Sequence, residues 1–98
     1  MEIECRDKIL ALVSADRVAE TKLPDSVTKS LREKLIVISA APDERTLRNL
    51  KSLHYEQPQR DRSELKSIRL DDQFRLLLEV DNSRSPPKAI LLGVENYR

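Results

Sequence analysis

Residues 67–80, SIRLDDQFRLLLEV, decide the fold. Two runs with apolar residues at every second position flank the polar triplet Asp71-Asp72-Gln73, the pattern of a β-hairpin with a short loop. A three-residue loop pairs Leu70 with Phe74, and the period of two then sets Ile68 opposite Leu76 and Arg69 opposite Arg75. A two-residue loop would set Ile68 against Arg75. The three-residue register is the expected one because it keeps Ile68, Leu70, Phe74, Leu76 and Leu78 on one face. Arg69 and Arg75 then face each other on the other side, where directly opposed like charges destabilise a ladder by roughly a few tenths of a kcal/mol. Three outcomes stay open. Asp71, Asp72 or Glu79 neutralises the pair, both guanidinia extend into water, or an anion such as a phosphate sits between them.

Downstream, the turn-rich DNSRSPPK leads into a strand over Lys88 to Glu95, whose Gly93 marks a bulge or a close backbone approach. Upstream, the hairpin's first strand is expected over Leu65 to Leu70. It is preceded by HYEQPQRDRSE, His54 to Glu64, a polar stretch with no periodicity that reads as a strand fragment and an exposed loop. Arg60, Arg62 and Lys66 in and after that loop can extend a basic surface along a nucleic-acid backbone.

Further back, Asp43 suits an N-cap for a short helix carrying Leu47, Leu50 and Leu53. Pro24 and Asp25 open a longer helix with Val27, Leu31, Leu35 and Ile38 as its buried stripe, and Pro42 ends it. Ile9, Leu10, Leu12 and Val13 fall at helical spacing in a first helix from Arg6 to about Val18 or Glu20. Met1 to Cys5 alternates as a short strand, with Ile3 and Cys5 on one side. The fold class is therefore α+β, with N-terminal helices packed on a C-terminal antiparallel sheet, and residues 1–98 form a single domain.

Composition narrows the chemistry. Of 98 residues, 39% are hydrophobic, enough for one core, and 18 Lys and Arg against 17 Asp and Glu leave a net charge of +1. A basic site must then come from local segregation of charge. Cys5 is the single cysteine and His54 the single histidine, so no internal disulfide forms and a Cys/His metal site lacks ligands. A cytoplasmic location and no cofactor are expected. No apolar run approaches a membrane span or a signal peptide, so no membrane partner is expected either. His54 is the side-chain type suited to proton transfer near neutrality, although a structural contact at a helix end serves equally for a lone histidine. Tyr97 suits either packing at a sheet edge or, with His54 and the arginines, cleavage of RNA without a metal, which needs a base near the 2′-hydroxyl, an acid near the leaving 5′-oxygen and cations around the phosphorane.

Read over nearly its full length, the chain resembles the HigB-like, plasmid-maintenance-killer branch of the RelE/ParE toxin superfamily. The resemblance is carried by MEIECRDKIL, LPDSVTKSLREKLIVISAAP, LRNLKSLH, SIRLDDQFRLLLEV and the terminal VENYR. The most specific element is SIRLDDQFRL, which is similar to the family's S-I-R-x-x-x-Q-(W/F)-R block. The resemblance implies a RelE/ParE-like toxin fold and a ribosome-associated endoribonuclease. Such an enzyme cleaves mRNA, inhibits translation and is held inactive by a helix-turn-helix antitoxin. It further implies catalytic roles for His54, Arg75, Tyr97 and Arg98 and an RNA contact from Arg69, next to the RNA-binding surface of Arg60, Arg62 and Lys66 read from the residues above. The family's L-K-G turn after the histidine is replaced here by YEQPQRDRSE, so Arg60 or Arg62 must substitute for its lysine. Asn96 stands where the family commonly has Asp, and Arg98 where it has His; an arginine stabilises charge but exchanges no proton at neutral pH. These departures define an alternative expectation, a toxin homologue without cleavage activity that binds its antitoxin and regulates the operon.

Overall fold

A computed structural model describes residues 1–14, 17 and 21–97. Its elements, in chain order, are β1 (Glu2–Cys5), α1 (Lys8–Ser14), α2 (Asp25–Ala40), α3 (Glu44–Asn49), a 3-10 turn (Lys51–Leu53), β2 (Lys66–Arg69), β3 (Phe74–Asp81) and β4 (Lys88–Asn96). The three α-helices pack against a four-stranded sheet of order β1-β4-β3-β2, so the α+β class holds. The expected continuation of the first helix to Val18 or Glu20 lies outside the described residues.

The hairpin forms in the expected register: Ile68 pairs with Leu76 and Arg69 with Arg75, and the Leu70 amide donates to the Phe74 carbonyl at 3.0 Å. Asp71 explains why the loop holds three residues. Its Oδ1 accepts from the Gln73 and Phe74 amides at 2.8 and 2.7 Å, satisfying donors that the tight turn would leave unpaired. Ile68, Leu76 and Leu78 are fully buried beneath the helices.

One expectation is corrected. The sheet is mixed, because β1 runs parallel to β4, with Ile3 beside Ala89 and Cys5 beside Leu91. The sheet is antiparallel only across β2, β3 and β4. Met1 reinforces this edge, since its ammonium donates to the Ile38, Ser39 and Ala41 carbonyls where α2 ends.

Gly93 marks a bulge rather than a close approach. Pairing with β4 shifts between Leu77, opposite Gly93, and Leu78, opposite Leu91. The extra residue lets Leu91 and Val94, three apart, both pack on the core. A Cβ on Gly93 would meet only Asp7 Oδ2, at 3.6 Å, an ordinary contact.

Val27, Leu31 and Ile38 form the buried stripe of α2, with Leu35 half-buried beside them. Ala41 is extended, as a residue before proline favours, and the helix stops there. Asp43 caps α3 by accepting from the Thr46 amide at 2.9 Å. The expected single helix through Leu53 divides into α3 and the 3-10 turn, which suits the repeat of exactly three in Leu47, Leu50 and Leu53. Among the described residues, no helix is long and apolar enough to cross a membrane.

Candidate functional site

Ser67, Arg69, Arg75 and Leu77 share the face of β2 and β3 turned away from the helices. The row continues onto β4, where Glu95 lies opposite Arg75. Where this face meets the segment after the 3-10 turn there is a cleft of about 560 Å³. It is lined by His54, Glu56, Ser67, Arg69, Arg75 and Tyr97, and by the 71–73 turn.

Each side arrives for a local reason. His54 ends the 3-10 turn in the left-handed region, φ 47° and ψ 54°, which reverses the chain toward the sheet; histidine is among the non-glycine residues enriched there. Tyr55 follows, packed on the core, its hydroxyl donating to Glu44 Oε2 at 2.6 Å. Glu56 then forms a single antiparallel bridge with Ser67. Its amide donates to the Ser67 carbonyl at 3.0 Å and its carbonyl accepts from the Ser67 amide at 2.8 Å. At the other end of the cleft, the Tyr97 amide donates to the Gln73 carbonyl at 2.8 Å, tying the end of the chain to the hairpin turn.

The arginines resolve the alternatives that the sequence left open. Arg75 donates from Nε to Ser67 Oγ at 2.9 Å and from Nη2 to the His54 carbonyl at 2.6 Å. The Glu56 carboxylate lies 3.6 Å from the same Nη2. Arg69 is exposed and donates from Nε to the Asp71 carbonyl at 3.2 Å, a bond that uses one of the guanidinium's five donors. The carboxylate paired with Arg75 is therefore Glu56, while Glu95 stands opposite Arg75 in the ladder. Glu79 is paired with Arg62 instead, at 3.2 Å, and the Asp71 carboxylate serves the turn.

His54, Arg69, Arg75 and Tyr97 thus meet in one cleft, whereas Arg60, Arg62 and Lys66 are not among its lining residues. Arg62 pairs with Glu64 and Glu79, and Lys66 donates to the Ser63 carbonyl. The expected basic extension is accordingly neutralised at Arg62 and turned to the loop at Lys66. Arg98 lies outside the described residues.

Tyr97 has a distinct electrostatic setting. Burial, then the Glu95 carboxylate to which it hydrogen-bonds, raise its hydroxyl above the ordinary phenol value, with Arg75 partly opposing them. The phenol therefore stays protonated at neutral pH and acts as a hydrogen-bond donor rather than a base. Among the described residues no group of three or more His, Cys, Asp or Glu could hold a metal ion.

Sequence reasoning did not single out Ser67 or Glu56. Ser67 had a signal: in the hairpin register it stands diagonal to Arg75 on the same face, within reach of a long side chain. Glu56 had none, since its loop carries no periodicity. A larger groove of about 650 Å³ between β1 and α2, lined by Ile3, Val13, Leu35 and Ile36, is mostly apolar and offers no group for proton transfer. The site chemistry belongs to the smaller cleft. No protein-family model matches the chain, and no curated protein matches it.

Proposed function

We propose that the cleft takes a phosphodiester of single-stranded RNA and that the protein is a metal-independent mRNA endonuclease of the toxin type. In this reading it inhibits translation on the ribosome and is restrained by a helix-turn-helix antitoxin. The observation that carries the reading is the convergence of His54, Arg69, Arg75 and Tyr97, which span more than forty residues of sequence, on one cleft. Their side-chain types supply a proton acceptor, cations for the phosphorane and a hydrogen-bond donor, leaving the 5′-oxygen to be protonated from solvent.

In the proposed reaction His54 takes the proton of the ribose 2′-hydroxyl. The O2′–P bond forms as the P–O5′ bond breaks, leaving a 2′,3′-cyclic phosphate and a 5′-hydroxyl protonated from solvent. Arg69 stabilises the equatorial oxygens. Arg75, bonded to the His54 carbonyl, both adds charge and holds the His54 backbone, so it is a positioning residue as well as a cation. Tyr97, kept as a phenol by burial and Glu95, orients or stacks on a base.

The test is incubation of the purified chain with translating ribosomes and mRNA in excess chelator, with product ends identified by mass spectrometry. Cyclic-phosphate ends, absent with His54→Ala, are the expected result. Intact message with the wild-type chain sinks the proposal. A second reading, a non-cleaving protein that binds its antitoxin and regulates the operon, is favoured by one feature: Glu56, Asp71 and Asp72 line the same cleft as the two arginines. Co-purification with a helix-turn-helix partner without any cleavage would select it.

A further inference from the structure

We infer that the Glu56 carboxylate occupies the anion seat at Arg75 and must leave it before a phosphate binds, so that Glu56 sets the affinity of the cleft. This inference rests on the cleft being a phosphodiester site. Three observations carry it.

First, both backbones are fixed. Glu56 is bonded to Ser67 through its amide and its carbonyl, and Ser67 is the residue whose hydroxyl holds Arg75 Nε. The carboxylate is therefore delivered to the guanidinium by the chain itself. Second, mobility is one-sided. The Arg75 side chain is 16% exposed and anchored by two bonds, while that of Glu56 is 61% exposed. The carboxylate can swing into water without disturbing the arginine. Third, the contact is loose. At 3.6 Å it is longer than the roughly 2.7–2.9 Å of an aligned charge-assisted bond. A phosphate, with oxygens for both Arg75 and its ladder partner Arg69, makes contacts the single carboxylate does not.

The test is fluorescence anisotropy with a labelled, fully 2′-O-methylated ten-nucleotide RNA, which binds but lacks the nucleophile, in about 50 mM salt. Glu56→Gln and Glu56→Ala both remove the charge, and both should bind roughly two- to fivefold more tightly than wild type, the size expected of one partly exposed ion pair. Asp72→Asn, which removes a carboxylate from another side of the same cleft, should gain less. Wild-type binding with no gain in either Glu56 variant overturns the inference while leaving the cleft reading standing. An equal gain from Asp72→Asn also overturns it, because general charge reduction then suffices. Absence of binding by every variant removes both. Binding by the Glu56 variants alone would support the inference most strongly.

Discussion

Replacing Tyr55 with Phe isolates one of the contacts that hold the segment carrying His54 and Glu56. The ring packs on the core either way, so the substitution removes one hydroxyl and its 2.6 Å bond to Glu44 Oε2. A hydrogen bond to a charged group contributes about 1.5–3 kcal/mol. Glu44 retains Asn82 on Oε1 at 3.0 Å and Arg48 at 3.9 Å, and part of its carboxylate can be rehydrated, so the low end, about 1.5 kcal/mol, applies. With an unfolding entropy of about 2.1 cal/mol/K per residue, that loss lowers Tm by about 7 °C.

The bond also leaves a signature in pH. Burial alone would raise the Glu44 carboxyl, but the bonds from Tyr55 and Asn82 outweigh it and hold the group below the ordinary range. Its stabilisation is therefore present above the unfolded-state value and lost as pH falls through the lower folded value. Burial, then the Glu44 carboxylate, raise Tyr55 far above an ordinary phenol. That stabilisation is complete below the unfolded-state value, about pH 10, and is lost as pH rises beyond it. Urea unfolding of both proteins should show a gap widest between about pH 5 and pH 9 and narrowing at each end. A gap that stays constant down to pH 3, or one below about 0.5 kcal/mol at neutrality, would refute the reasoning, since the charged bond would then contribute nothing particular.

Three further substitutions, at two positions, probe the frame of the cleft. At His54, with φ 47°, glycine removes the roughly 1–2 kcal/mol cost of a left-handed backbone and offsets it with greater unfolded-state freedom, so His54→Gly should unfold within about 0.5 kcal/mol of wild type. His54→Val, β-branched, should lose about 1–2 kcal/mol, and equal urea midpoints for the two variants would contradict the backbone assignment. Leu76, fully buried on β3 between β2 and β4, should lose about 2–5 kcal/mol on replacement with Ala, a large part of a small domain's stability, read by circular dichroism melting.

What the sequence disclosed depended on how local the signal was. The hairpin register followed from a loop of three residues and a period of two, both confined to residues 67–80. The bounds of α2 followed from Pro24 and Pro42, which act within a residue or two of themselves. The parallel pairing of β1 with β4 joins residues more than eighty positions apart, and an alternation over Met1 to Cys5 carries no information about which strand it meets or in which direction. Leu47, Leu50 and Leu53 show a signal present but misread. A repeat of exactly three is the 3-10 period, and the structure changes from α-helix to a 3-10 turn within it.

The same distinction governs the site. Opposed arginines in a ladder pose an electrostatic problem, and from sequence an external anion was one solution. Inside the fold the problem is met by four acceptors: the Ser67 hydroxyl and His54 carbonyl with the Glu56 carboxylate for Arg75, and the Asp71 carbonyl for Arg69. Repulsion between the pair therefore no longer argues for a ligand. What argues for one is the unequal strength of those contacts. The two bonds to neutral oxygens are short, at 2.9 and 2.6 Å, whereas the Glu56 carboxylate paired with Arg75 lies farther off, at 3.6 Å, and is exposed. In the proposed reading, ligand binding at this site is an exchange of one anion for another, and its affinity is a difference between two ion pairs rather than the filling of an empty positive pocket. A mutation that weakens Arg75 would move His54 at the same time, which makes Glu56 the better handle on whether the cleft binds phosphate.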